Sequence, residues 1–103
     1  MNGYLITFFT QQNREQDGIP LADWIVEEAR KAGIRGATLF NGKEGFGHDG
    51  RFHSGNYFDL EDQPQLVTMA VTEDECARLM SRLKEAGQRI FYTKSKTEFG
   101  FTS

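Results

Sequence analysis

The feature that most constrains this chain is an internal repeat of strand, helix, glycine and strand. The first helical pattern ends in Arg-Lys-Ala-Gly at 30–33, and the second ends in Lys-Glu-Ala-Gly at 84–87. Glycine is the residue that most readily adopts the left-handed backbone that ends a helix, so both segments are predicted to be βαβ units. Two interleaved βαβ units with right-handed crossovers predict a ferredoxin-like α+β fold (βαββαβ). This fold is an antiparallel sheet with two helices on one face.

Hydrophobic periodicity places the elements of this repeat. Strands are predicted at residues 4–10, 36–40, 65–71 and 89–93, where apolar, β-branched and aromatic residues cluster. The first helix is expected to begin at Pro20 and to end before Gly33. The second is expected to begin at Thr72, since Thr72 and Glu75 have the spacing of a capping box, and to end before Gly87. Residues 94–103 are predicted to be a tail whose Phe99 and Phe101 pack on a neighbour.

The apolar stripes of the two helices predict the core. On the first helix, Trp24 is expected in the core or in a subunit interface, and Glu28 on the solvated side. The other apolar positions of that stripe are Leu21, Ile25, Ala29 and Ala32. On the second helix, Cys76 lies on the apolar stripe and is predicted to be a small core hydrophobe rather than a reactive thiol.

Length and composition restrict the class of protein. With 103 residues, the chain is expected to form a single domain, 1–103, with one modest core. A net charge of −3 disfavours nucleic-acid binding, which requires a basic face. We expect no membrane insertion, no signal peptide and a cytoplasmic location, because long apolar runs are absent and the single cysteine cannot form an intrachain disulfide. The 13% aromatic content indicates a subunit interface.

A glycine-rich segment between the two βαβ units is the candidate functional loop. Residues 42–55 read Gly-Lys-Glu-Gly-Phe-Gly-His-Asp-Gly-Arg-Phe-His-Ser-Gly and contain five of the eleven glycines and both histidines. Loops that combine glycines with chemically active side chains are frequent binding sites. The simpler interpretation is a long hairpin loop without a ligand.

The glycine-rich segment is compatible with three kinds of chemistry. Its glycine amides could surround an anion or a nucleotide phosphate, with Arg51 or Arg89 as the cation. It matches neither a Walker loop nor a dinucleotide fingerprint. Alternatively, His48 and His53, with Asp49 between them, could bind a metal ion. No nucleophile and base pattern supports catalysis, so an enzyme is not expected.

The order of elements and the segment Glu44-Gly-Phe-Gly-His-Asp-Gly-Arg-Phe-His-Ser54 resemble the PII signalling superfamily. PII proteins carry Gly-Phe-Gly at the base of a long loop after the second strand, the T-loop, and Gly45, Phe46 and Gly47 stand at that place. The T-loop-like segment spans about residues 42–58. The likeness covers nearly the whole chain and is greatest to a PII-like branch of uncharacterised bacterial proteins (domain-of-unknown-function type).

This resemblance implies a non-enzymatic regulatory protein. It implies a homotrimer that binds a small effector, with an adenine nucleotide as the candidate, at clefts between subunits. A mobile loop would engage a partner protein, which is expected to be a regulated membrane transporter or enzyme. The candidate effector-binding residues are Gly45, Phe46, Gly47, Arg51, Gly87 and Arg89. The candidate partner-binding residues are His48, Asp49, Arg51, Phe52 and His53.

The chain departs from the PII pattern at two places. The glycine- and lysine-rich phosphate loop of PII proteins is represented here by Gly87, Gln88 and Arg89 only, and the C-terminal arginine pair is missing. The identity of the effector therefore stays open at this point. The alternative is a trimeric metal-binding protein of the copper-tolerance type that uses His48 and His53.

Overall fold

The computed structural model describes residues 1–46, 52–54 and 63–103. Two helices and a series of strands make up this part of the chain. In chain order the elements are β1 (Asn2–Gln11), β2 (Glu15–Gln16), β3 (Ile19–Pro20), α1 (Leu21–Lys31), β4 (Thr38–Asn41), β5 (Glu44–Phe46), β6 (Phe52–Ser54), β7 (Pro64–Thr72), α2 (Glu73–Glu85) and β8 (Phe91–Glu98).

The main sheet has four strands in the order β4-β7-β1-β8, and every neighbouring pair is antiparallel. The two strands at the centre, β1 and β7, are joined to the edges by the βαβ units that the repeat predicts. The predicted ferredoxin-like α+β fold is therefore confirmed. Two short hairpins, β2–β3 and β5–β6, project from the sheet.

The core lies between one face of the sheet and the two helices. Alternate residues of the central strands point into it, because side chains of a strand alternate between its two faces. Ile6 and Phe8 of β1 and Val67 of β7 are almost completely buried, as is the predicted helix stripe. The fully buried helix residues include Leu21, Ala22, Ile25 and Leu79. Trp24 is part of this core, and Cys76 is buried in it as predicted.

Both helices end where their glycines predict, and α2 begins at its predicted capping box, whereas α1 begins at Leu21 with Pro20 as its N-cap residue. The Thr72 hydroxyl accepts a hydrogen bond from the Glu75 amide at 3.2 Å, and the Glu75 carboxylate accepts one from the Thr72 amide at 2.8 Å. This is the predicted capping box of α2. Gly33 and Gly87 follow the helices with φ angles of 84° and 76°. The repeated Ala-Gly dipeptide thus ends both helices with a glycine in the left-handed conformation.

Two predictions about exposure and length were wrong. Glu28 is largely buried rather than solvated, and its carboxylate lies 3.2 Å from Arg82 Nε of α2 and 3.5 Å from Lys31 Nζ of its own helix. The last strand also continues beyond residue 93 to Glu98, because its charged half pairs with the beginning of β1. This half of the strand was missed because it has no apolar run. Edge strands often carry charged side chains, and here lysines alternate along the strand.

The segment after β1, where no strand was predicted, contains the β2–β3 hairpin. Asp17 and Gly18 form its two-residue turn with φ angles of 53° and 82°. Positive φ at both central positions is the geometry that favours Asp-Gly in hairpins. The Asp-Gly dipeptide was therefore the signal that could have identified this hairpin.

Candidate functional site

Most of the candidate residues lie at one end of the main sheet, which we call the loop end. It is the end where β1 and β4 finish and where β7 and β8 begin. There Gln11 pairs with Pro64 and Asn41 with Gln65. Three connections leave the sheet at this end: the β2–β3 hairpin, the glycine-rich segment and the α2–β8 connection.

The glycine-rich segment begins at the β4 side of the loop end. The Gly42 amide donates a 2.7 Å hydrogen bond to the Pro64 carbonyl, which anchors the segment to the start of β7. A side chain added to Gly45 would lie 4.0 Å from Pro64 Cγ, so β5 passes beside the same proline. Phe46 is 78% exposed. The base of the predicted loop is therefore a hairpin beside Pro64 that presents the ring of Phe46 to solvent.

The α2–β8 connection lies at the opposite side of the loop end. Arg14 Nη2 donates hydrogen bonds to the Arg89 carbonyl at 2.7 Å and to Gln88 Oε1 at 3.1 Å. Gln88 Nε2 in turn donates to the Glu15 carbonyl at 3.1 Å and to Gln16 Oε1 at 2.7 Å. We call this set, Arg14 and Gln88 with their partners, the clamp. It joins the β2–β3 hairpin to the connection that carries Gly87 and Arg89.

Arg14 and Arg89 differ in whether their side chains are available to a ligand. Burial lowers the pKa of the Arg14 guanidinium from its ordinary value, and its hydrogen bonds are directed at the protein itself. The Arg89 side chain is exposed, and no residue within 1–46 or 63–103 forms an ion pair with it. Of the two, Arg89 is the cation positioned to meet an anion from solvent.

One copy of the chain does not bring the candidate effector residues together. Gly45 and Phe46 lie beside β4 and β7, whereas Gly87 and Arg89 lead into β8 at the other edge. The strand order separates the two edges by three inter-strand spacings, or about 14 Å. The structure thus places these residues at one end of the sheet but in two groups.

The remaining candidates belong to the rest of the glycine-rich segment. Gly47, His48, Asp49 and Arg51 lie outside the described residues. Phe52 and His53 are in β6, where their main chains pair with Phe46 and Gly45. Within the described part of the chain, no three metal-ligating side chains lie close together. The metal site at His48 and His53 stays a prediction.

A row of polar residues at the loop end went unnoticed in the sequence. Gln65 is 6% exposed and occupies a position that faces the helices, among the apolar residues of β7. Its Nε2 donates to Asn41 Oδ1 at 2.9 Å, and Thr10 is directly opposite it on β1. Thr10 Oγ1 and Gln65 Oε1 are buried without a hydrogen-bond partner among the described residues. The available signal was a glutamine at a core position of a strand.

The sheet face away from the helices is a second surface with an unusual composition. A row of four apolar residues crosses all four strands at the loop end, and the residues that form it are Phe40, Leu66, Phe9 and Phe91. Phe40 and Phe91 are 50% and 49% exposed. A row of threonines lies beside it, with Thr7 and Thr68 Oγ1 atoms 3.2 Å apart. So large an apolar row on a small domain is typical of an interface.

A protein-family model matches almost the whole length of the chain. The model of the DUF190 family, described as "Uncharacterized ACR", matches residues 3–99. A UPF0166 protein of Aquifex aeolicus (strain VF5) is 26% identical over 81 residues, which span 78% of this chain and 77% of the relative. Among the described residues, no helix is long and apolar enough to cross a membrane.

Solved structures share the fold. A protein from Thermus thermophilus, described as PII-like and signaling, superposes with a TM-score of 0.68 at 20% identity, over 93% of this chain and 87% of its own. CPII, a nitrogen regulatory PII-like protein from Thiomonas intermedia K12, was solved with ADP, AMP and bicarbonate. It gives a TM-score of 0.62 at 17% identity, over 94% of this chain and 89% of its own.

Proposed function

We propose, from the premise that the chain belongs to the DUF190 family, that it is a PII-like, non-enzymatic regulatory protein of the cytoplasm. In this proposal, a homotrimer binds an adenine nucleotide at the clefts between its subunits. The glycine-rich hairpin then presents residues of its tip to a partner protein.

The observation that carries the proposal is the division of the candidate residues between two edges of one sheet end. Phe46 offers an exposed ring at one edge, and Arg89 offers an exposed cation at the other. A nucleotide has a flat base and a charged phosphate group, so it needs both kinds of contact. Two copies placed edge to edge at the loop end would bring Phe46 of one beside Arg89 of the other.

The exposed apolar row supports association of the subunits. Burying apolar surface stabilises an assembly by roughly 25 cal/mol per Å². Phe9, Phe40 and Phe91 are large side chains that leave a third or more of their surface in solvent. A closed trimer would cover this row in every subunit, whereas a monomer would leave it in water.

The roles of the individual residues follow from their placement. Phe46 would stack on the base or the ribose, and the Arg89 guanidinium would pair with a phosphate. The Gly87 position lets a phosphate approach the backbone closely. The clamp holds the Arg89 main chain in place through Arg14. Arg51, in the glycine-rich segment, is a further candidate cation.

Regulation requires that the nucleotide favours one state of the hairpin. A ligand shifts an equilibrium only by its difference in affinity for the two states. Because Phe46 is the last residue of β5 and pairs with Phe52 of β6, a ligand on Phe46 can bias the state of the hairpin. The partner in this proposal is a membrane transporter or an enzyme. CPII, which shares the fold, binds ADP and AMP.

The test is calorimetric titration of the purified protein with ADP, AMP and ATP, with light scattering on the same sample. We expect a trimer that binds at least one of these nucleotides. The Arg89→Ala variant should bind about tenfold or more weakly, since a charge-assisted contact is lost. Arg30→Ala is the matched control, because Arg30 is an exposed arginine on α1. Absence of binding, or equal affinities of the two variants, would contradict the proposal.

A further inference from the structure

An open groove of about 480 Å³ lies between the end of α1 and the middle of α2. The two helices contribute two small side chains, three cations and one hydroxyl to its lining, which consists of Lys31, Ala32, Ala77, Arg78, Ser81 and Arg82. The two alanines leave room between the helices because their side chains are small. The candidate nucleotide contacts Phe46 and Arg89 are not among the lining residues, so this groove is a separate surface.

The groove carries an excess of positive charge. Lys31, Arg78 and Arg82 are the ionisable residues of its lining, and all three are cationic at neutral pH. Among residues 1–46, 52–54 and 63–103, Glu28 is the one carboxylate within ion-pair distance of them, at 3.5 Å from Lys31 Nζ and 3.2 Å from Arg82 Nε. Three cations face one carboxylate, although the chain as a whole has a net charge of −3. The positive charge is therefore a local feature of this groove.

The two arginines are held in position by their Nε atoms. Arg78 Nε donates a 3.0 Å hydrogen bond to the Ala32 carbonyl, and Arg82 Nε donates one of 3.2 Å to Glu28 Oε1. The Nη atoms of each guanidinium carry four further N–H donors. Because residues four apart lie on the same face of a helix, both guanidinium groups reach the same groove. Guanidinium, ammonium and hydroxyl groups together are the donors that bind oxyanions.

We propose that this groove binds a soluble small molecule that carries a diphosphate group. A diphosphate has two adjacent anionic groups, which match two guanidinium groups one helical turn apart. Arg78 and Arg82 would each donate hydrogen bonds to one phosphate, and Lys31 would add its charge at the α1 side. The site goes beyond the proposed function, because a ligand here would bind alongside a nucleotide in the cleft between subunits.

The test is calorimetric titration of the intact protein with inorganic pyrophosphate. We expect binding that weakens as the salt concentration rises, since salt screens exposed charges. Arg78→Gln should lower the affinity about tenfold or more, because charge-assisted hydrogen bonds are lost. Lys31→Gln should lower it about threefold or more. The Lys31 side chain is 55% exposed, so this variant serves if Arg78→Gln, which removes the donor to the Ala32 carbonyl, does not fold.

Lys84→Gln is the matched control. Lys84 is a lysine in the last turn of α2, as Lys31 is in the last turn of α1, but it does not line the groove. It should keep the wild-type affinity for pyrophosphate, and so should Arg89→Ala. Failure of the wild type to bind pyrophosphate, or equal affinities of Lys31→Gln and Lys84→Gln, would overturn the groove site and leave the proposed function standing. Loss of pyrophosphate binding in Arg89→Ala would assign the anion to the cleft and overturn the groove site as well.

Discussion

Gly3 lies where β1 comes very close to the backbone of β7. A Cβ atom at this position would lie 1.9 Å from the Val71 carbonyl oxygen, whereas one at Gly36 would have no neighbour within 4 Å. We predict that Gly3→Ala lowers the free energy of unfolding by about 1–3 kcal/mol, the usual cost of overpacking. Gly36→Ala should change it by less than about 0.5 kcal/mol. Urea unfolding of both variants checks this, and equal stabilities would contradict the close approach.

Cys76 is expected to make the stability of the folded chain depend on pH in the alkaline range. Burial raises the pKa of its thiol, and the nearby Lys94 opposes part of the shift. The folded chain therefore holds this proton to a higher pH than the unfolded chain does. Its contribution to stability is complete below the unfolded pKa, about 8.5, and is lost as the pH rises through the folded value.

We predict that, above about pH 8.5, the free energy of unfolding falls more steeply with pH in the wild type than in the Cys76→Ala variant. One proton accounts for at most about 1.4 kcal/mol per pH unit. Urea unfolding from pH 7 to 10 measures both slopes, and comparing slopes removes the effect of the cavity that the alanine creates. Parallel curves would show that the thiol pKa is the same in both states.

Residues were predicted well where their environment depends on the local pattern alone. The stripe that contains Leu21 and Ile25 follows from helical spacing, and both residues are buried. Glu28 was placed wrongly because its partner Arg82 lies 54 residues away, on the other helix. The burial of Gln65 was missed for the same reason, since its neighbours Asn41 and Thr10 come from two other strands.

At the scale of elements, the clamp joins two connections that are far apart in sequence. Arg14 reaches the α2–β8 connection across 74 and 75 residues. We predict that Arg14→Ala lowers the free energy of unfolding by about 1–2 kcal/mol, since hydrogen bonds from a charged donor are lost. Arg30→Ala should cost less than about 0.5 kcal/mol, because its contact with Glu27 is an exposed ion pair.

A double-mutant cycle tests whether the clamp acts as one unit. Arg14→Ala and Gln88→Ala should show a coupling energy above about 0.5 kcal/mol, as expected for residues in one hydrogen-bond network. Additive effects would mean that the hairpin and the α2–β8 connection are held independently.

The elements of the repeat could be predicted because each carries its own signals. Thr72 and Glu75 indicate the start of α2, and the glycines indicate the helix ends. The β2–β3 hairpin was missed because its strands have two residues each, too few for any periodicity. The second half of β8 is a strand only because β1 is available to pair with it, and pairing is not a property of the local sequence.

At the scale of the whole molecule, Phe46 and Arg89 lie at opposite edges of the loop end of one chain. The repeat predicted the sheet, and the sheet order places the two residues at opposite edges of the loop end. The sequence indicated Phe46 through the resemblance and Arg89 as a cation for a bound anion, without saying that one chain keeps them apart. Their distance results from strand order, which depends on contacts throughout the chain. We therefore propose that a neighbouring copy completes the site.

Subunit mixing tests this claim most directly. Phe46→Ala and Arg89→Ala proteins are each titrated with ADP, then unfolded together, refolded as a one-to-one mixture and titrated again. Each variant alone should bind weakly. If the site takes Phe46 from one copy and Arg89 from the next, about a quarter of the sites in random trimers regain both residues and bind with wild-type affinity. A mixture with no recovered tight sites would contradict a shared site, since both residues would then act within one chain.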